Sequence, residues 1–147
     1  MPLTSLFLAA SLSLGGAPPT TEPSLEAYLL AFDYAARRDM KIESKDLIWL
    51  QREGKAQLID IRFKQEVAAW SVRGTLNIPL NELPRRLAEL DRTKIIVTAC
   101  PHKDRSAIAM AYLRSKGIPA KYLTDGLLGM VDQLRGEAAL DFVGSGK

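Results

Sequence analysis

The sequence predicts an α/β domain, a mostly parallel central sheet flanked by helices on both faces. Three observations carry that reading. Short apolar runs over residues 56–61, 75–78, 95–99 and 120–123 have the length of strands. Stretches with helical spacing or helix-capping residues alternate with them, as crossovers between parallel strands require. The central runs are apolar at almost every position, as strands covered on both faces are. In such folds a ligand lies beyond the carboxyl ends of the strands, and Cys100 stands at one such end.

At 147 residues the chain suffices for one domain with its own core, without disulfides or a metal to staple it. A charge of +3, scattered in pairs such as Arg37-Arg38 and Arg85-Arg86, permits attraction of small anions. It makes no case for nucleic acid, which needs a clustered basic face. One cysteine forms no internal disulfide, and with a single histidine it builds no structural zinc site, so no metal is expected.

Taken in order, residues 1–23 form a leader. An apolar and hydroxyl-bearing run over 3–14 precedes Gly15, Gly16, Ala17, Pro18 and Pro19. It is too short to span a bilayer, so no stable membrane insertion is expected. It has the length of a signal-peptide core with small residues near Ala17, yet no Lys or Arg precedes it and proline follows. A disordered leader is the other reading. A lone reduced thiol is more natural in the cytoplasm, which is favoured, with export as the alternative.

Residues 24–41 read as an N-terminal helical extension. Ser24 is a candidate N-cap for one helix to about Asp39, with Leu25, Tyr28, Leu29, Phe32 and Ala36 at helical spacing. Residues 42–136 hold the α/β domain. Ser44 begins a helix with Leu47, Ile48 and Leu50 on its apolar side, ending at Gly54. The 56–61 strand leads to Arg62, and 64–70 suits a short helix. Gly74 marks a turn before the 75–78 strand, which Pro79 ends. Asn81 caps a helix through Leu90, with Pro84 in its first turn. The 95–99 strand, a polar loop and a helix stopping at Gly117 follow. That helix is apolar almost all round between Ala107 and Leu113, which predicts cover on both sides. A strand over 120–123, a helix over 126–134 and a weakly patterned tail over 137–147 complete the chain.

Chemistry concentrates in the loop after the 95–99 strand: Cys100, Pro101, His102, Lys103 and Asp104, with Arg105 and Ser106 opening the helix. Thiolate is the reactive form of cysteine, and a helix N-terminus with nearby cations favours it. Loop amides beyond Pro101 can converge on the sulfur. Lys103 and Arg105 add positive charge, while Asp104 takes some away. The same donors would hold an anionic sulfur or an oxyanion bonded to Cys100.

The order of landmarks resembles the single-domain rhodanese family, over residues 42 to about 135. Leu58-Ile59-Asp60-Ile61-Arg62 resembles its LIDVR strand end, with Glu66 at the acidic position that follows. Asn77-Ile78-Pro79-Leu80 resembles its NIPL segment, with Glu82, Leu83 and Leu87 after it. Cys100 to Ser106 resembles the active loop C-x-x-G-x-R-S, and Gly117 ends the next helix. The resemblance implies a rhodanese-like fold and a sulfurtransferase. Cys100 would take the sulfane sulfur of a small sulfur anion such as thiosulfate, or of a persulfide donor, and pass it to a thiol or a protein acceptor. No cofactor is implied. From Cys100 to Arg105 the loop has six residues, the length the family associates with sulfur transfer. One residue more marks relatives that act on phosphate or arsenate, so a phosphatase or arsenate reductase is disfavoured.

The departures shape the alternatives. Lys103 stands where the family has glycine; were positive φ required there, lysine would cost roughly 1–2 kcal/mol. Ser71 and Arg73 replace His and Pro, Asp125-Gly126 replaces Gly-Gly, and Met130 replaces Trp. A low-turnover persulfide carrier or sensing module is therefore the second reading. His102 tunes the thiolate or simply faces solvent. Arg105 contacts anions or pairs with a carboxylate from the Asp60 or Glu66 region. Asp60 and Arg62 are expected to form a strand-end ion pair that props the loop, and Ser106 to cap the helix or touch ligand. Trp49 and Trp70 are expected to be packing residues, and Tyr28, Phe32 and Tyr34 to belong to a helix laid across the domain.

Overall fold

Strands Lys41–Ile42 (β1), Ala56–Asp60 (β2), Thr75–Asn77 (β3), Ile95–Ala99 (β4) and Lys121–Leu123 (β5) form one sheet in the order β1-β5-β4-β2-β3. Every pairing is parallel. The computed structural model describes residues 22–145; the apolar run at 3–14 and the small residues near Ala17 lie outside them. Helices Leu25–Leu30 (α1), Tyr34–Asp39 (α2), Ser44–Arg52 (α3), Lys64–Ala69 (α4), Asp104–Ser115 (α5), Gly126–Gln133 (α6) and Glu137–Gly144 (α7) supply the connections and the cover. Among the described residues no helix is long and apolar enough to cross a membrane.

Alternation along the strands explains the layers. On β2, Ala56 and Leu58 join Leu47 of α3 and Leu127 and Met130 of α6 in one core. Ile59, with Ile61 just beyond the strand, turns the other way to meet Met110 and Leu113 of α5. On β4, Val97 and Ala99 face the first core, whereas Ile96 and Cys100 face the second. Each fully buried Leu or Ile here stabilises the fold by about 1.5–3 kcal/mol. Cys100 therefore leaves the sheet on the α5 side.

Several expectations change. The helix predicted over 24–39 is two, because Asp33 adopts an extended conformation and its Oδ1 accepts the Ala36 N–H at 2.8 Å. A carboxylate that bonds nearby backbone favours a cap over a helix interior. Tyr28 does lie on α5, its hydroxyl 3.9 Å from Met110 Sδ, but Phe32 and Tyr34 are exposed. The helix predicted from Asn81 through Leu90 is two 3₁₀ turns, Leu83–Arg85 and Leu87–Glu89. Tertiary contacts override propensity there: Leu83 and Leu90 are buried, and Gln57 of β2 binds the Glu89 carbonyl and the Asp91 N–H.

Strand β1 escaped sequence reading because two residues carry no period. The tail forms α7, launched by Gly136 at φ 57° and held by Phe142 against the α3–α6 core. Trp49 is exposed, with Lys55 Nζ 5.0 Å above its ring, so it is not a core residue. Trp70 packs as expected. Ile108 on α5 is 59% exposed, so that helix is not covered all round.

This sidedness has a measurable consequence. Leu113→Ala should lower the urea-unfolding free energy by about 2–5 kcal/mol, whereas Ile108→Ala should change it by no more than about 0.5 kcal/mol.

Candidate active site

Parallel pairing brings the ends of β2 and β4 together. Asp60 lies opposite Ala99, and the Ile61 N–H donates to the Ala99 carbonyl at 3.0 Å. Ile61 and Cys100 therefore follow side by side at the carboxyl edge, where ligands bind in such sheets, with Arg62 one residue beyond. Both Asp60 and Arg62 are fully buried. Arg62 Nε donates to the two Asp60 carboxylate oxygens at 2.9 and 3.1 Å, and Nη2 donates to Oδ2 at 2.6 Å and to the Trp70 carbonyl at 3.0 Å. The guanidinium also lies 4.0 Å from the Trp70 ring centre, and only Nη1 is buried without a partner. Asn77 Nδ2 donates to the carbonyls of Asp60 and Arg62 at 2.8 and 2.9 Å, tying β3 to the same point.

Cys100 is 0% exposed. Two side-chain oxygens reach its sulfur, Asp104 Oδ1 and Ser106 Oγ, each at 3.6 Å. Asp104 is exposed and Ser106 buried, so the carboxylate lies on the solvent side of the thiol and the hydroxyl on the protein side. Ser106 Oγ donates to the Lys103 carbonyl at 3.0 Å, and Thr98 Oγ1 donates to the Ser106 carbonyl at 2.8 Å, locking α5 onto β4. Lys103 precedes α5 at φ −154°, a negative value, so the lysine brings no left-handed strain. His102 and Lys103 are exposed and Pro101 is half-buried.

The loop rests on the start of α6. The N–H groups of Leu127 and Leu128 donate to the carbonyls of Cys100 and Pro101 at 2.9 and 3.2 Å. Gly126 makes this possible: its φ is +69°, and a Cβ there would sit 2.2 Å from the His102 carbonyl oxygen. Asp125 Oδ1 accepts the Ser44 N–H at 3.0 Å, so the starts of α6 and α3 are joined. Sequence reading treated Asp125-Gly126 only as a departure and passed over Thr98. The signal for Gly126 was a glycine opening an apolar helix; Thr98 left none, being one hydroxyl within a strand.

Charges cancel in pairs around the loop. Arg105 makes a bidentate bridge to Glu66 at 2.8 and 2.9 Å. The Arg105 hydrogen bonds are the main reason the Glu66 carboxyl is held down to about 2. Glu66 also accepts the Phe63 N–H at 3.0 Å and so caps α4. Of the two partners considered for Arg105, Asp60 belongs to Arg62 and Glu66 takes the arginine. The Asp104 carboxyl is held below the usual range chiefly by the Arg105 backbone N–H, with the Cys100 thiol contributing. Lys103 makes no ion pair among the described residues. Nor do three His, Cys, Asp or Glu side chains among the described residues converge as metal ligands would.

The chain belongs to the rhodanese-like domain family, whose model matches residues 43–133. An HTH-type transcriptional regulator of Mycobacterium tuberculosis is 32% identical over 100 residues, 67% of this chain and 44% of that protein. A sulfurtransferase of Allochromatium vinosum is 33% identical over 60 residues, 41% of this chain and 56% of that protein. The chain thus spans about half the length of these relatives. Among solved structures, a thiosulfate sulfurtransferase from Pseudomonas aeruginosa matches with a TM-score of 0.58 and 27% identity, over 75% of this chain and 22% of that one.

Two outcomes test this geometry. Gly126→Ala should destabilise the protein by at least about 1 kcal/mol and speed alkylation of the buried Cys100 by iodoacetamide. The Glu66 carboxyl has a lowered pKa, so its bridge to Arg105 stabilises the fold above the unfolded value of 4.5 and is lost as pH falls toward about 2. The gap in urea midpoint between wild type and Glu66→Gln should therefore be open at neutral pH and close across that window.

Proposed function

We propose that the protein is a sulfurtransferase that carries sulfane sulfur on Cys100 as a persulfide. The observation that carries this reading is the six-residue loop from Cys100 to Arg105, closed against α6 by the Leu127 and Leu128 amides. A loop of this length is the one the family associates with sulfur transfer rather than with phosphate or arsenate. Membership of the rhodanese-like family supports it.

The transfer balances without a redox partner. With a persulfide donor, Sγ attacks the terminal sulfur, the donor S–S bond breaks, and an Sγ–S bond forms. The thiol proton ends on the departing thiolate, so a thiol leaves and Cys100 keeps an S–SH group. With thiosulfate the same displacement releases sulfite. A thiol or protein thiol then attacks the outer sulfur and regenerates Cys100. The N-terminal dipole of α5 stabilises the anionic sulfur during each displacement, while the Ser106 hydroxyl, which donates to the Lys103 carbonyl, holds the loop in place. Arg105, engaged by Glu66, acts mainly by fixing α4 to α5 around the loop.

Burial of Cys100 favours a second reading, a carrier module that loads sulfur and hands it slowly to a protein partner. Rapid multiple turnover with thiosulfate and cyanide would count against that version.

The deciding measurement is the intact mass of the protein after incubation with cysteine persulfide or with thiosulfate under non-reducing conditions. Wild type should gain one sulfur atom and Cys100→Ser none. No gain from either donor, or equal gain on the variant, would remove the proposal.

A further inference from the structure

The side chains around Cys100 bear on which donor can load it. From α4, Glu66 is engaged by Arg105 of α5; from β2, Asp60 is engaged by Arg62. Asp125, ahead of α6, is bonded to the Ser44 N–H. His102 and Lys103 are exposed on the loop. The charge left touching the sulfur is negative: Asp104 Oδ1, 3.6 Å from Sγ. Because Cys100 is 0% exposed and Asp104 is exposed, a donor meets that carboxylate before it meets the thiol.

We infer that Asp104 selects the sulfur donor, favouring a persulfide of low charge and disfavouring dianionic thiosulfate. This rests on the sulfurtransferase reading above. A carboxylate only accepts hydrogen bonds. A protonated persulfide, R–S–SH, can donate to it and take the place the thiol S–H holds in the resting protein. Thiosulfate has no hydrogen to donate and brings two negative charges toward a third. The covalent step stays the same for the favoured donor: the R–S–SH bond breaks, Sγ–SH forms, and the Cys100 proton leaves with the departing thiol. Sequence reading weighed Asp104 only as a charge offsetting Lys103 and Arg105; its contact with the sulfur depends on a side-chain conformation that the sequence does not show.

Asp104→Asn preserves shape and removes the charge. Single-turnover loading of Cys100, followed by intact mass with thiosulfate and with cysteine persulfide, gives a thiosulfate-to-persulfide rate ratio. That ratio should rise about tenfold in Asp104→Asn and stay near wild type in Asp104→Glu. In the wild-type protein, which needs no variant to fold, raising the salt concentration should raise the same ratio by screening the carboxylate. Loading from persulfide with a ratio unmoved by the Asn variant and by salt would overturn the inference and leave the sulfurtransferase reading standing. Absence of loading from both donors would instead overturn that reading, and this one with it.

Discussion

The buried ion pair between Asp60 and Arg62 is the constraint around which the site is arranged. Removing a guanidinium from water costs several kcal/mol, which is offset only when partners surround it. Here the surroundings come from three places in the chain: the Asp60 carboxylate on β2, the Trp70 carbonyl and ring after α4, and Asn77 of β3 holding the backbone. A register slip of one residue would turn Asp60 and Arg62 to the other face and strand both charges. Because β2 pairs with β4 with Asp60 opposite Ala99, whatever anchors Arg62 also fixes where Cys100 leaves the sheet.

Around that anchor the loop is shaped by backbone contacts more than by net charge. Thr98 and Ser106 tie β4 to α5, and the first amides of α6 take the carbonyls of Cys100 and Pro101. Against this loop glycine is needed at Gly126, where another backbone passes too close for a Cβ. At Lys103 the negative φ makes glycine unnecessary. The ion pairs join neighbouring elements and leave the sulfur facing a helix dipole, a hydroxyl and one carboxylate.

Much of the scaffold was legible because strand and helix periods are local properties. The alternation of Leu58, Ile59 and Ile61, or of Ile96 and Val97, depends on residues a few positions apart. Elements without a period were not legible. Strand β1 exists only because Lys41 and Ile42 pair with Tyr122 and Leu123. The segment before Leu90 follows its anchors to the core and to Gln57, and the N-terminal helix breaks where Asp33 finds the Ala36 amide.

For the site, the residues and their order could be read directly: a lone cysteine after an apolar strand, six residues to an arginine, and an Asp-x-Arg strand end. These reflect chemistry carried by residue type and spacing along one stretch of chain. The choice of partners could not be read so. Whether Arg105 meets an incoming anion or Glu66, and whether Asp104 faces water or the thiol, depends on groups far apart in sequence or on a side-chain rotamer. Folding brings Glu66 within 2.8 Å of Arg105 across 39 residues. Ion pairing at that distance takes Arg105 to Glu66, so the sequence of Lys94 to Gly117 names the residues of the loop while the tertiary fold decides which partners they meet.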